Sequence, residues 1–214
     1  MKKSAVSIAL LIWVLSLFSN GCAVFKSAFP DENTRIVADL ESRARAIRSY
    51  ALDHTIRGKV AKRMYFQFER DGKPFFRFRS DFIRSGKRYV YIYNADGSHD
   101  YHYFPDERTA YRCPTDGRWN ADNYGKAREA HFNYQGALVD GEEEIDGRAC
   151  YLLKFRNHWI AVWKEKGITL AAMNRLDDKE DAVYYENIAF DLPEDLFAVP
   201  AGVTIIDRKH WFFK

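Results

Sequence analysis

Three cysteines and six histidines hold most of the reactive chemistry open to this chain. Cys113 and Cys150 match no zinc-ligand spacing, so they are either joined in a disulfide or buried as two thiols. Neither has the basic, helix-terminal setting that produces a reactive thiolate. His99 and His102 stand three apart, and on a strand that spacing sends them to opposite faces, away from a shared metal. His54, His131, His158 and His210 have no partner motif. There is no Gly-x-Ser-x-Gly and no His-Glu-x-x-His, and Glu142-Glu143-Glu144 reads as solvated charge before a turn. No enzymatic activity, metal or cofactor is expected. Cys22 differs from the other two cysteines because of what precedes it.

Lys2 and Lys3 are followed by an apolar run from Ala5 to Phe18 and then by Ser19-Asn20-Gly21-Cys22. A positive start, a short apolar stretch and small residues at the end read as an export signal, too short to span a bilayer comfortably. Gly21-Cys22 looks like the end of a bacterial lipoprotein signal, where the thiol is acylated and cleavage leaves Cys22 as the new N-terminus. Ser19 stands where an aliphatic residue is usual, so plain secretion is the alternative. The expected organisation is a signal over 1–21, an acylated leader over 22–30, and one domain over 31–214. More than one acyl chain makes such a tether stable.

Lys2 and Lys3 leave with the signal and no acid does, which reduces 33 basic residues to 31 against 30 acidic. A mature chain so close to neutral gives no argument for nucleic acid. Aromatics are the outlying number, with 13 Tyr and 16 Phe, residues that favour strands and line apolar cavities.

The elements that must position these rings follow from periodicity. Ile36, Leu40, Ala44 and Ile47 predict a helix over Asp31–Tyr50. From Leu52 the period becomes two, and polar turns such as Asp71-Gly72, Asn94–Gly97 and Asp146-Gly147 separate short strands. A second helix is predicted within Asn123–Leu138. About ten strands and two helices result. They form a mainly β domain, an antiparallel meander whose length makes it curl around a helix.

Three patterns resemble the outer-membrane lipoprotein-carrier superfamily, the LolA/LolB-like fold. They are Asn94–Gly97 running to Tyr101–Pro105; Gly141–Leu153 with Trp163–Ile168; and Phe190–Pro193 with Leu196–Val203. The resemblance covers about Leu52 to Asp207. It implies a half-open β-barrel lidded by helices, with an apolar cavity for acyl chains or lipidated proteins. By the same resemblance, Ala23 after the cysteine implies the outer membrane on its periplasmic side. Phe82-Ile83 corresponds in position to an apolar, membrane-facing loop of the family's receptor. A tethered chain is a poor shuttle, so an acceptor or local lipid binder is expected; the alternative is a structural or regulatory protein holding a protein partner.

Alternation puts Met64, Phe66 and Phe68 on one face, as it does Phe76 and Phe78, and Tyr151, Leu153 and Phe155. These eight are the candidate cavity residues, because Arg77, Arg79 and Lys154 take the opposite faces. A filled core uses the same residue types. The register of Tyr89, Tyr91 and Tyr93 against Val90 and Ile92 stays open.

Overall fold

The structure, a computed structural model, describes residues 31–156, 158–174, 176 and 181–210. The signal, Cys22 and the leader lie outside the described residues. The chain divides into two units, Met1–Ile36 and Val37–Lys214, and each is described by itself.

In the first unit Asp31 caps helix α1, Glu32–Arg45: the Thr34 N–H donates to Asp31 Oδ1 at 2.7 Å. The same bond holds the Asp31 carboxyl below its ordinary range.

In the second unit α1 buries Val37, Leu40, Glu41 and Ala44, one face at three- and four-residue spacing. The buried Glu41 carboxylate is satisfied by Arg45 Nη2 at 2.6 Å and by the Tyr134 N–H at 2.8 Å. The helix ends at Arg45 rather than at Tyr50. The Phe68 N–H claims Arg48 O at 2.8 Å, and the Tyr50 ring stacks on Phe66 at 5.1 Å. Strand packing therefore takes Ser49 and Tyr50 from the helix.

Twelve strands follow among the described residues: β1 Ser49–Ile56, β2 Lys59–Arg70, β3 Lys73–Arg84, β4 Lys87–Tyr93, β5 His99–Phe104 and β6 Thr109–Pro114; then, after helix α2 (Tyr124–His131), β7 Leu138–Ile145, β8 Arg148–Phe155, β9 His158–Trp163, β10 Thr169–Met173, β11 Val183–Phe190 and β12 Thr204–Asp207. They make one curved, unclosed sheet in the order β12-β6-β5-β4-β3-β2-β1-β11-β10-β9-β8-β7. Asp71-Gly72 turns the chain with both φ positive, 51° and 70°, the tight hairpin geometry that glycine permits. All pairs are antiparallel except β12 with β6, which run parallel, a departure from the simple meander.

The sheet order dictates the lid. β6 lies next to one edge and β7 is the other edge, so the connection 115–137 must traverse the whole sheet. It does so through α2, whose Tyr124 and Ala127 enter the core beside Phe68, Phe76 and Phe132. α2 lies within the predicted interval and stops at His131, because 132–137 is a turn closed by Ala137 N–H to Tyr134 O at 3.1 Å. The result is a half-open barrel lidded by helices.

Asn94 fastens this lid. Its side chain is fully buried, its φ is 53°, and Nδ2 donates to Phe76 O at 2.6 Å and to Tyr124 Oη at 3.1 Å. Asn94→Ala strands both acceptors and keeps a left-handed backbone without the asparagine that suits it. The expected loss is about 3 kcal/mol, read as a lower urea midpoint at unchanged slope.

Cys113 on β6 and Cys150 on β8 are buried free thiols, so the disulfide alternative is corrected. The sheet order explains it: β5, β4, β3, β2, β1, β11, β10 and β9 all lie between β6 and β8. Burial raises both thiols, Cys150 to about 11, which keeps them protonated and inert.

Candidate functional site

Strand register assembles the concave face in rows. Tyr50 pairs with Phe66, Phe66 with Phe78, and Phe78 with Tyr93. The next row runs Leu52, Met64, Ser80, Tyr91, His102 and Tyr111. A third runs His54, Lys62, Phe82 and Tyr89. Tyr89, Tyr91 and Tyr93 thus share the face of Phe78, and Val90 and Ile92 take the other. Rings line the face at contact distance: Phe66–Phe78 at 6.2 Å, Phe78–Tyr91 at 5.4 Å and Phe82–Tyr89 at 4.9 Å.

The eight candidate cavity residues separate into three groups. Phe68 and Phe76 are buried in filled core, with Phe132 5.2 Å from Phe68 and Trp119 6.1 Å from Phe76. Met64 and Phe66 line a cavity of 250 Å³ under the end of α2, and Phe78 lines a second of 560 Å³ further along the sheet. Tyr151, Leu153 and Phe155 line neither; Leu153 is fully buried opposite Ile160, and that part of the face is packed. Phe82 and Ile83 lie within β3 rather than on a loop. Phe82 points into the larger cavity, while Ile83 on the other face is 65% exposed.

Residues the sequence did not single out complete the site. Leu52, His131, Phe132 and Tyr185 join the smaller cavity; Lys62, Ser80, Arg84, Tyr89, Tyr91 and His102 join the larger. His131 lies among Phe66, Phe68 and Phe132 at 4.6, 5.2 and 4.8 Å and hydrogen-bonds Tyr50 Oη at 2.6 Å. Its accessible surface lines the cavity, and desolvation there pushes the imidazole down to about 4. His102 hydrogen-bonds Tyr89 Oη through Nδ1 at 2.5 Å and is likewise pushed to about 4 by burial. Both rings are neutral at pH 7. His99, three residues away, sits at the surface against Asp96 at 3.0 Å. Asp100 accepts from Asn94 N–H, Thr115 Oγ1 and Tyr91 Oη at 2.8, 2.7 and 3.1 Å, and burial raises its carboxyl.

The opposite face of β2–β4 is covered too. Leu192–Val199 forms a strap whose Phe197, 1% exposed, packs on Val90 and Ile92. The Arg77 guanidinium lies 4.3 Å over the Phe197 ring, bonds Gln67 and Ala95 O, and pairs with Glu194. Arg79 bonds Asp81 and, at 2.7 Å, Leu196 O. Both arginines take the face expected of them but are held under the strap rather than solvated.

Among the described residues no helix is long and apolar enough to cross a membrane, and no group of three His, Cys, Asp or Glu could hold a metal ion.

No protein-family model and no curated protein matches this chain. Solved structures do. An uncharacterised conserved protein from Thermus thermophilus is 11% identical, with 82% of this chain and 98% of that chain covered and a TM-score of 0.45. The Pseudomonas aeruginosa MucA/MucB complex matches at 14% identity over 85% of this chain and 66% of that one, with a TM-score of 0.45. A DUF1329 family protein from Desulfovibrio piger matches at 17% identity over 79% and 98%, with a TM-score of 0.35.

Proposed function

We propose that this chain is an exported protein of the bacterial cell envelope, tethered through Cys22, that shelters acyl chains, free or on lipidated proteins, in its concave trough. The carrying observation is open volume beside an apolar row: clefts of 250 and 560 Å³ flank the Phe66–Phe78 contact on the concave face. The larger falls within the range of about 300–1,000 Å³ common to small-molecule sites. The signal-like residues 1–22, Ala23 and the resemblance to the lipoprotein-carrier superfamily support the same reading, with the outer membrane as the site of the tether.

The energetics suit an acceptor without catalysis. Burying an acyl chain gains about 0.8 kcal/mol per methylene relative to water. A bilayer offers nearly the same gain, so transfer is close to neutral and needs no fuel.

Phe78 is half-buried at the wall of the larger cavity, so Phe78→Asp tests the trough without opening the filled core. It is expected to weaken binding of a fluorescent fatty-acid probe about tenfold or more by placing a carboxylate against the chain. Glu129→Gln, on the exposed side of α2, is expected to leave it unchanged. Equal losses in the two variants would count against the trough. Arg79 cannot serve as the neutral control, since it holds the strap.

The sheet edges favour a second reading, a protein partner. Leu138 on β7 is 62% exposed, and Ile205 and Ile206 on β12 are 47% and 38% exposed; among the described residues these are the two edge strands of the sheet, where an extended segment can add. A stoichiometric protein partner lost on Ile205→Lys, with no bound lipid, would favour it.

A further inference from the structure

The larger cavity is not uniformly apolar, and its polar groups are not evenly placed. Lys62 pairs in register with Phe82, and Arg84 lies two residues beyond Phe82 on the same face of β3. Such diagonal neighbours across a strand pair are about 7–8 Å apart, within reach of two long cationic side chains acting on one group. Both line the cavity at one end, and the rings of Phe82, Tyr91 and Phe78 lead inward from them. No carboxylate is among the described residues that line it. Asp81 bonds Arg79 across from this face, and Asp100 accepts from Asn94, Thr115 and Tyr91. The two cations also act on their surroundings, for Lys62 helps lower His54 and Arg84 opposes the burial that raises Tyr89.

We infer that this cavity selects single-chain amphiphiles with an anionic head, seated at Lys62 and Arg84 while the acyl chain runs along Phe82, Tyr91 and Phe78. The inference rests on the acyl-binding reading and adds the head-group chemistry to it. An anionic oxygen bonded to lysine and guanidinium at the edge of an apolar site gains charge-assisted hydrogen bonds. A neutral head desolvates the same cations and returns less. Arg84 is exposed and Lys62 half-buried, so both can lose their charge without disturbing the core.

The test uses the exported chain with Cys22→Ser and an uncharged fluorescent apolar probe, displaced by dodecanoate, dodecyl phosphate or dodecanol. The anions are expected to displace the probe about tenfold better than the alcohol. In the Lys62→Gln/Arg84→Gln double variant that advantage should fall below about twofold with dodecanol unchanged, which also reports that the cavity is intact. Whichever anion binds tighter identifies the head as carboxylate or phosphate. Equal displacement by anions and alcohol in the parent chain, or an advantage that survives in the double variant, overturns the inference. Displacement by none of the three removes the acyl-binding reading, and this inference with it.

Discussion

Gly167→Ala is expected to destabilise the protein by roughly 4 kcal/mol, lowering its melting temperature by about 10 °C. Gly167 ends the β9–β10 connection at φ +69°, and a Cβ there would lie 2.0 Å from Leu40 O and 2.9 Å from the Leu40 carbonyl carbon. These are backbone atoms of α1, so no side chain can swing aside, and the helix must move. The left-handed backbone accounts for about 1–2 kcal/mol of the cost, and the forced displacement supplies the rest. Gly58→Ala separates the two contributions, because Gly58 has φ +68° but nothing within 4 Å of its would-be Cβ. It is expected to show only the conformational part. The displacement also matters for the trough: Tyr134 Oη donates to Gly167 O at 2.8 Å, and Tyr134 lines the smaller cavity. Thermal unfolding of both variants checks the difference; equal melting temperatures would show that α1 does not pack as described.

Acidification from pH 7 to about 4 is expected to cost a comparable amount. His102 is 7% exposed, and its folded pKa is about 4 against an ordinary 6.5. Above pH 6.5 both folded and unfolded states carry a neutral ring, and its contribution is fully present. Between 6.5 and 4 the unfolded chain takes up a proton that the folded chain refuses, so stability falls as pH falls. At 1.36 kcal/mol per pKa unit, His102 alone accounts for about 3 kcal/mol. His131 acts in the same direction, and its pH response should shift when lipid fills the cavity it lines. Asp100 works the other way, since burial raises its carboxyl and protonation relieves that burial. Denaturant unfolding at several pH values should give a slope that His102→Gln flattens between 6.5 and 4. An unchanged slope would mean that His102 is solvated.

How far the sequence showed this in advance depended on whether local chemistry or distant packing decided each feature. The Asp71-Gly72 and Asp146-Gly147 turns were legible because their residues determine the geometry locally. Met64 with Phe66, and Phe76 with Phe78, were legible as faces because Tyr65 and Gln67, and Arg77 and Arg79, alternate with them. The parity of Tyr89, Tyr91 and Tyr93 was not, since the strap buries Val90 and Ile92 and makes both faces of β4 apolar. The strap's grip on β3 was not legible, because Arg77 and Arg79 reach Glu194 and Leu196 more than a hundred residues away. Only long-range placement distinguishes filled core at Phe68, Phe76 and Leu153 from open wall at Met64 and Phe78, because all five are apolar side chains on strands. Lys62 and Arg84 carry no motif; the β2–β3 register alone brings them to one cavity.

Native mass spectrometry of the exported chain with Cys22→Ser, followed by extraction and identification of bound lipid, tests the central claim most directly. An acyl species at close to one per chain, lost in Phe78→Asp, is the predicted result. A clean unliganded mass, with no displacement of a fluorescent fatty-acid probe, would contradict it.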